Sequence, residues 1–173
     1  CTASNGVRYR LRNDFVHHTT MDVCESEVAA LVSHDQLLVV QAELVQHRLI
    51  SAVEFRPENR DVIEYMALTC DTTGKARELD AADPTPGYQR AGGPGFQPAS
   101  LLGRWIPGAR PHRYPKTIGR RIPAGADLVL GIHYRPSGKT VQDRSKVGVH
   151  FAPRDAHSSS IEILVANRNL AIP

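Results

Sequence analysis

The stretch Leu101–Ala152, LLGRWIPGARPHRYPKTIGRRIPAGADLVLGIHYRPSGKTVQDRSKVGVHFA, decides the fold of this chain. Its centre, Ala126–Tyr134, alternates. Leu128, Leu130 and Ile132 fall on one face and Val129 and His133 on the other, as in a β-strand, where successive side chains point to opposite sides. Ile122-Pro123 precedes this strand and Ser137-Gly138-Lys139 turns the chain after it. Lys146–Ala152 then reads as the next strand. Upstream, Trp105-Ile-Pro-Gly-Ala109 and Tyr114-Pro115 mark tight turns.

Working outward, the same period of two recurs. Leu38, Val40, Ala42 and Leu44 share one face. Leu49–Phe55 and Val62–Cys70 are apolar runs rich in strand formers, separated by a turn at Pro57 and Asn59. Val7–Arg12 and Phe15–Val23 read as short strands joined at Asn13-Asp14, and Ile161–Ala166 as the last strand. Ser26–Val32 is the one helical stretch, with Ser26 as its cap. Residues 71–100 form a long connection rich in Pro and Gly, the kind of loop that carries function or packs on itself. The expected fold is all-β, an antiparallel jelly-roll sandwich of about eight strands. Residues 1–36 supply N-terminal strands and a short helix, part of or leading into the domain; residues 37–173 are the domain itself.

Composition narrows the function classes. The chain has 173 residues, 41% hydrophobic and 23% charged, with net charge +3. That is one domain with a sizeable core. No apolar run is long enough to span a membrane, and no nucleic-acid motif accompanies the modest charge. The cysteines are Cys1, Cys24 and Cys70. They form no C-x-x-C, so zinc and thioredoxin chemistry are not indicated. A Cys1–Cys24 bridge is open to an exported protein, and a lipid anchor on Cys1 is a further option. The expected location is therefore periplasmic, extracellular or lipid-anchored.

The order of motifs resembles one family. Arg56-Pro-Glu-Asn-Arg60, Asp71-Thr-Thr-Gly-Lys-Ala76, Leu79–Pro84, Gly87-Tyr88, Gly92–Phe96, the Trp105 turn, the His133-Tyr134 pair and Asn169–Pro173 occur in this sequence. Together they resemble the N-terminal domain of the copper type II, ascorbate-dependent monooxygenases of bacterial type, relatives of the peptidylglycine and dopamine hydroxylases. The resemblance implies two jelly-roll domains with one copper each. The first holds copper through a His-His pair and the His of His-Tyr; the second, which hydroxylates substrate, has no counterpart among these residues.

The resemblance puts the His-His pair at positions 64 and 65, where this chain has Glu64 and Tyr65. Position 133 keeps its histidine. Redox copper must be held as Cu(I) and Cu(II); imidazole serves both, whereas a carboxylate favours the harder Cu(II). The expectation is weak copper binding or none, with His133 kept as a hydrogen-bonded core histidine. A replacement metal site of Glu64, Tyr65 and His133 stays open. So does a second pair, His17 and His18 in Val16–Cys24, joined to His133. Adjacent strand residues point to opposite faces, so His17 and His18 need a bulge to share a metal.

Arg104, Arg110, Arg113, Lys116, Arg120 and Arg121 lie in a run without acids, with Trp105 beside them. Arg104, Arg110, Arg113 and Trp105 are candidate ligand-binding residues; the alternative is a set of solvated loops and a tryptophan packed at a sheet edge. No phosphate loop, nucleophile elbow or zincin motif is present. Two functions follow. One is a non-catalytic binding or assembly module, with a small molecule, a peptide, or a second chain or domain of the same family as partner. The other is an enzyme: an oxidase with remodelled ligands, or a metal-free acid–base catalyst using Glu64, Tyr65 and His133.

Overall fold

A computed structural model describes residues 11–14, 18–22, 26–29, 34–41, 47–84 and 87–161. The strands are β1 (Leu11–Asp14), β2 (His18–Asp22), β3 (Ser26–Ala29), β4 (His34–Gln41), β5 (Arg48–Arg56), β6 (Ile63–Asp71), β7 (Tyr88–Gln89), β8 (Ser100–Trp105), β9 (Ile118–Ile122), β10 (Asp127–Tyr134), β11 (Thr140–Asp143), β12 (Lys146–Phe151) and β13 (Ser158–Ser159); the single described helix is α1 (Lys75–Ala82). The chain is all-β. One sheet runs β1-β2-β12-β5-β9-β13, another β7-β4-β10-β6-β8, and β11 and β3 pair separately. All pairings are antiparallel except β13 on β9.

The two large sheets close on one core. Leu38, Met66, Leu68, Leu130 and Ile132 of the five-stranded sheet meet Ile50, Val53, Phe55, Val147 and Val149 of the six-stranded sheet. Each fully buried aliphatic contributes about 1.5–3 kcal/mol through removal from water. At Gly103 the two sheets approach closely: a Cβ there would sit 2.9 Å from the Val53 Cβ. Trp105 is 7% exposed and packs into this core from β8, an edge strand, as the sequence suggests. Beneath the sheets, Tyr134 and Asp143 are fully buried. The tyrosine hydroxyl donates to one Asp143 oxygen at 2.9 Å and the Ser145 hydroxyl to the other at 2.9 Å.

Residues of opposite parity build a second layer. Leu37 and Val129, on the outer face of the five-stranded sheet, pack against Ala76 of α1 and Tyr88, with Leu79 and Phe96 alongside. Two carboxylates tie this layer down. Asp71 and Asp127 are register partners, and like charges so placed repel. Each is neutralised differently. Asp71 accepts the N–H groups of Thr73 and Ala76 at 2.8 Å each and the Thr73 hydroxyl at 2.6 Å, so the start of α1 caps it. Asp127 takes a two-toothed ion pair from Arg77 at 2.6 and 2.7 Å. The Tyr88 hydroxyl donates to the Pro94 carbonyl at 2.7 Å and pins the glycine-rich loop.

Several expectations change. Ser26–Ala29 is strand β3, not helix, because it pairs with Val141 and its neighbours on β11; pairing overrides a weak local propensity. The helix lies instead at Lys75–Ala82, inside the stretch read as a loop. Asn13 and Asp14 lie within β1 rather than in a turn, and Ser158 and Ser159 form a short strand on β9. The strands number thirteen among the described residues, more than about eight, because short edge strands lack a legible period. Residues 162–166, most of the expected last strand, lie outside the described residues, as do Cys1, Cys24 and His17. The stretches Val62–Cys70 and Ala126–Tyr134 lie side by side, as β6 paired with β10. Among the described residues, no helix is long and apolar enough to cross a membrane.

Cys70 is fully buried and unbridged, and burial raises its thiol pKa to about 12. A thiolate is the reactive form. In the folded protein Cys70 should therefore resist a disulfide reagent such as dithionitrobenzoate at neutral pH and react on denaturation. Fast labelling of Cys70 in the native state, located by peptide mapping, would contradict this packing.

Candidate functional site

Register decides what faces His133. Along β10 and β6, His133 pairs with Tyr65, but Tyr134 pairs with Ile63. Glu64 is therefore the extra residue of a β-bulge. A bulge sets two residues of one strand against one of its partner and breaks the alternation of facing. Strict alternation would send Glu64 and Tyr65 to opposite faces; here Glu64 is exposed and Tyr65 half-buried, and neither enters the core. The Glu64 carboxylate lies 3.5 Å from His133 Nε2. Their side chains are 49% and 33% exposed, so this pair contributes little to stability.

Tyr65 and His133 stand at one end of a cavity of about 400 Å³. Its floor is the outer sheet face, Leu37, Ala67, Thr69, Leu101 and Gly131, and Gly93 and Pro94 of the pinned loop form the opposing wall. The sheet face extends past the edge of the second layer, and the cavity is the part that α1 and its loop leave uncovered. Apart from the Thr69 hydroxyl, which donates to the Val129 carbonyl at 3.3 Å, the polar side chains at this cavity are Tyr65 and His133. Parity could have found the floor: Gly131 is two residues before His133, and Ala67 and Thr69 are two and four after Tyr65.

The donor set does not fit a redox copper centre. It offers one imidazole, one carboxylate and one phenol where the resemblance implies three imidazoles, and Cu(I) gains little from either oxygen donor. Among the described residues no group of three or more His, Cys, Asp or Glu side chains could hold a metal. Of the second pair, His17 lies outside the described residues. His18 begins β2 in the six-stranded sheet, where its register partners are Asp14 and His150. His133 belongs to the other sheet and is not the core histidine expected: by strand alternation it shares the outer face with Val129, 33% exposed, away from the core between the sheets.

The arginine-rich candidates lie elsewhere. Arg104, Arg110 and Trp105 line a separate cleft of about 300 Å³ beside Val53 and Phe55. Arg113 does not line it; its backbone bridges to Ala52 and its side chain is exposed. Arg120 and His112 of the basic run line the cleft as well, together with Tyr114. No protein-family model matches the chain, and no curated protein matches it.

Proposed function

We propose that this chain is a binding module built on a copper-monooxygenase-like jelly roll, in which the former metal position closes one end of a small-ligand cavity. The observation that carries this reading is the bulge at Glu64, which sets Tyr65 and His133 at the end of an apolar cavity of about 400 Å³, with the Glu64 carboxylate 3.5 Å from His133 outside its lining. A mostly apolar pocket with a few convergent polar groups is the usual form of a small-molecule site. The ligand is a neutral apolar molecule with one hydrogen-bonding group directed at Tyr65 and His133. The chain is exported, hydroxylates nothing alone with ascorbate, and works beside a second chain or domain.

The test uses the fluorescent probe 1-aminoanthracene and Cu(II) in parallel titrations. Saturable probe binding, weakened by His133→Ala, together with copper lost on dialysis, is expected. Stoichiometric copper retained by the protein and lost in His133→Ala would replace this reading with a remodelled metal site.

A second reading rests on the 3.5 Å contact between Glu64 and His133. A carboxylate orients an imidazole for proton transfer, so acid–base catalysis on the bound ligand is the alternative. Turnover of a bound compound, abolished by Glu64→Gln with binding retained, would establish it.

Gly131 gives the sharpest variant. A Cβ there would meet nothing nearer than 3.9 Å, and the position is in the middle of a strand. Gly131→Val should fill the cavity and abolish probe binding. It should leave stability unchanged or raise it by about 0.5–1 kcal/mol, the cost of glycine in a strand. Full probe binding in this variant would mean that the probe sits elsewhere.

A further inference from the structure

The cleft beside β5 and β8 has a chemistry distinct from the cavity at His133. Its walls are Val53 and Phe55 of β5 and Leu102 and Trp105 of β8, with Pro111 at the turn. Its rim carries Arg104, Arg110 and Arg120, with His112 and Tyr114, and among the described residues no acid lines it. The rim is built rather than merely solvated. The Tyr114 N–H donates to the Ser51 carbonyl at 2.8 Å, which fixes the loop against β5. Arg120 Nε donates to the Tyr114 hydroxyl at 3.0 Å, and its guanidinium lies 6.0 Å from the ring centre. His112 packs edge-on to the same ring at 4.9 Å. The acid of the neighbouring strand is occupied elsewhere: Glu54 pairs with Arg56 at 2.8 Å and with His150 at 3.4 Å.

We propose that this cleft binds a small organic anion: an aromatic body against Phe55, Trp105 and Tyr114, and a carboxylate or phosphate head on the guanidinium groups of Arg104, Arg110 and Arg120. Arginine forms paired, charge-assisted hydrogen bonds with both heads. A volume of about 300 Å³ holds one small molecule, not a run of nucleotides. Apolar walls favour a ligand with a ring over a bare ion.

Calorimetric titrations of the full chain with phenyl phosphate, benzoate, inorganic phosphate and benzyl alcohol test this. Phenyl phosphate and benzoate should both bind, and whichever is tighter identifies the preferred head. Inorganic phosphate and benzyl alcohol should each be weaker by about tenfold or more, the worth of one charge-assisted contact. The double variant Arg104→Gln, Arg110→Gln should lose about tenfold for both anions. Both positions are exposed, and a thermal melt checks their folding. If the double variant unfolds, the salt dependence of the parent protein replaces it, since charge-driven binding weakens at high ionic strength. Benzyl alcohol binding as tightly as phenyl phosphate would reduce the cleft to an apolar dent. Inorganic phosphate matching phenyl phosphate would reduce it to a charged patch. Affinity unchanged in a folded double variant, or by salt, would overturn the site.

Discussion

Replacing Glu64 and Tyr65 together by histidine should turn this chain into a copper protein. The bulge already brings both positions to the side of His133, with Glu64 reaching within 3.5 Å of its ring. The double variant therefore presents three imidazoles without a change in backbone register. Three imidazoles hold both copper oxidation states, whereas one imidazole with two oxygen donors does not. Affinity for Cu(I) should rise by on the order of 100-fold or more, as an order of magnitude for two added nitrogen donors. Competition with a Cu(I) chelator measures it, and absorption spectroscopy of the histidine-rich region adds a structural readout. Each single variant should fall between the parent and the pair. A double variant that folds and binds no more copper than the parent would mean that positions 64 and 65 do not converge on His133.

Asp71→Ala should be strongly destabilising. The carboxylate is 1% exposed and satisfies two N–H groups and a hydroxyl near the start of α1. Truncation leaves the Ala76 N–H buried and unpaired while the donors of the exposed Thr73 turn to water, a loss of about 1–3 kcal/mol. Burial alone would raise the Asp71 pKa, but the Thr73 hydroxyl and the N–H groups of Ala76, Thr73 and Lys75 outweigh it and hold it below the usual aspartate value. The sign follows from that depression. The stabilisation is complete above the unfolded-state pKa of about 3.9 and is lost as pH falls through the lower folded-state value. Urea unfolding should show the full difference between parent and variant at neutral pH and a smaller one at about pH 2.5. A difference that does not change between these pH values would show that Asp71 acts through shape and not through charge.

The central strands were legible because their periods are long and their two faces differ. Leu128, Leu130 and Ile132 against Val129 and His133 is such a case, and the structure puts the two sets in different layers. Helix α1 was not legible. KARELDAA contains one fully buried residue, Ala76, so no apolar stripe announces it. Its position comes from Asp71 and Arg77, whose partners are brought together by sheet pairing. The bulge was equally hidden, since a register shift between two strands leaves no trace in either strand alone. The sequence therefore named Glu64, Tyr65 and His133 as candidates but could not tell whether they meet. The cleft at Arg104 depends on loops near Tyr114 that fold back on β5, a long-range contact with no local pattern.

The second layer also has a kinetic meaning. Its apolar contacts are few: Leu37, Val129, Ala76 and Tyr88, with three partly buried neighbours. The core between the sheets is far larger. Cooperative units with little buried surface open at lower free energy than the whole domain. Residues 75–84 and 87–98 should therefore open and close together while β6 and β10 stay paired. Amide hydrogens of α1 would then exchange well before those of Met66 or Leu130. Each opening would carry Gly93 and Pro94 away from the cavity wall, so a ligand held in the cavity should slow amide exchange in this layer.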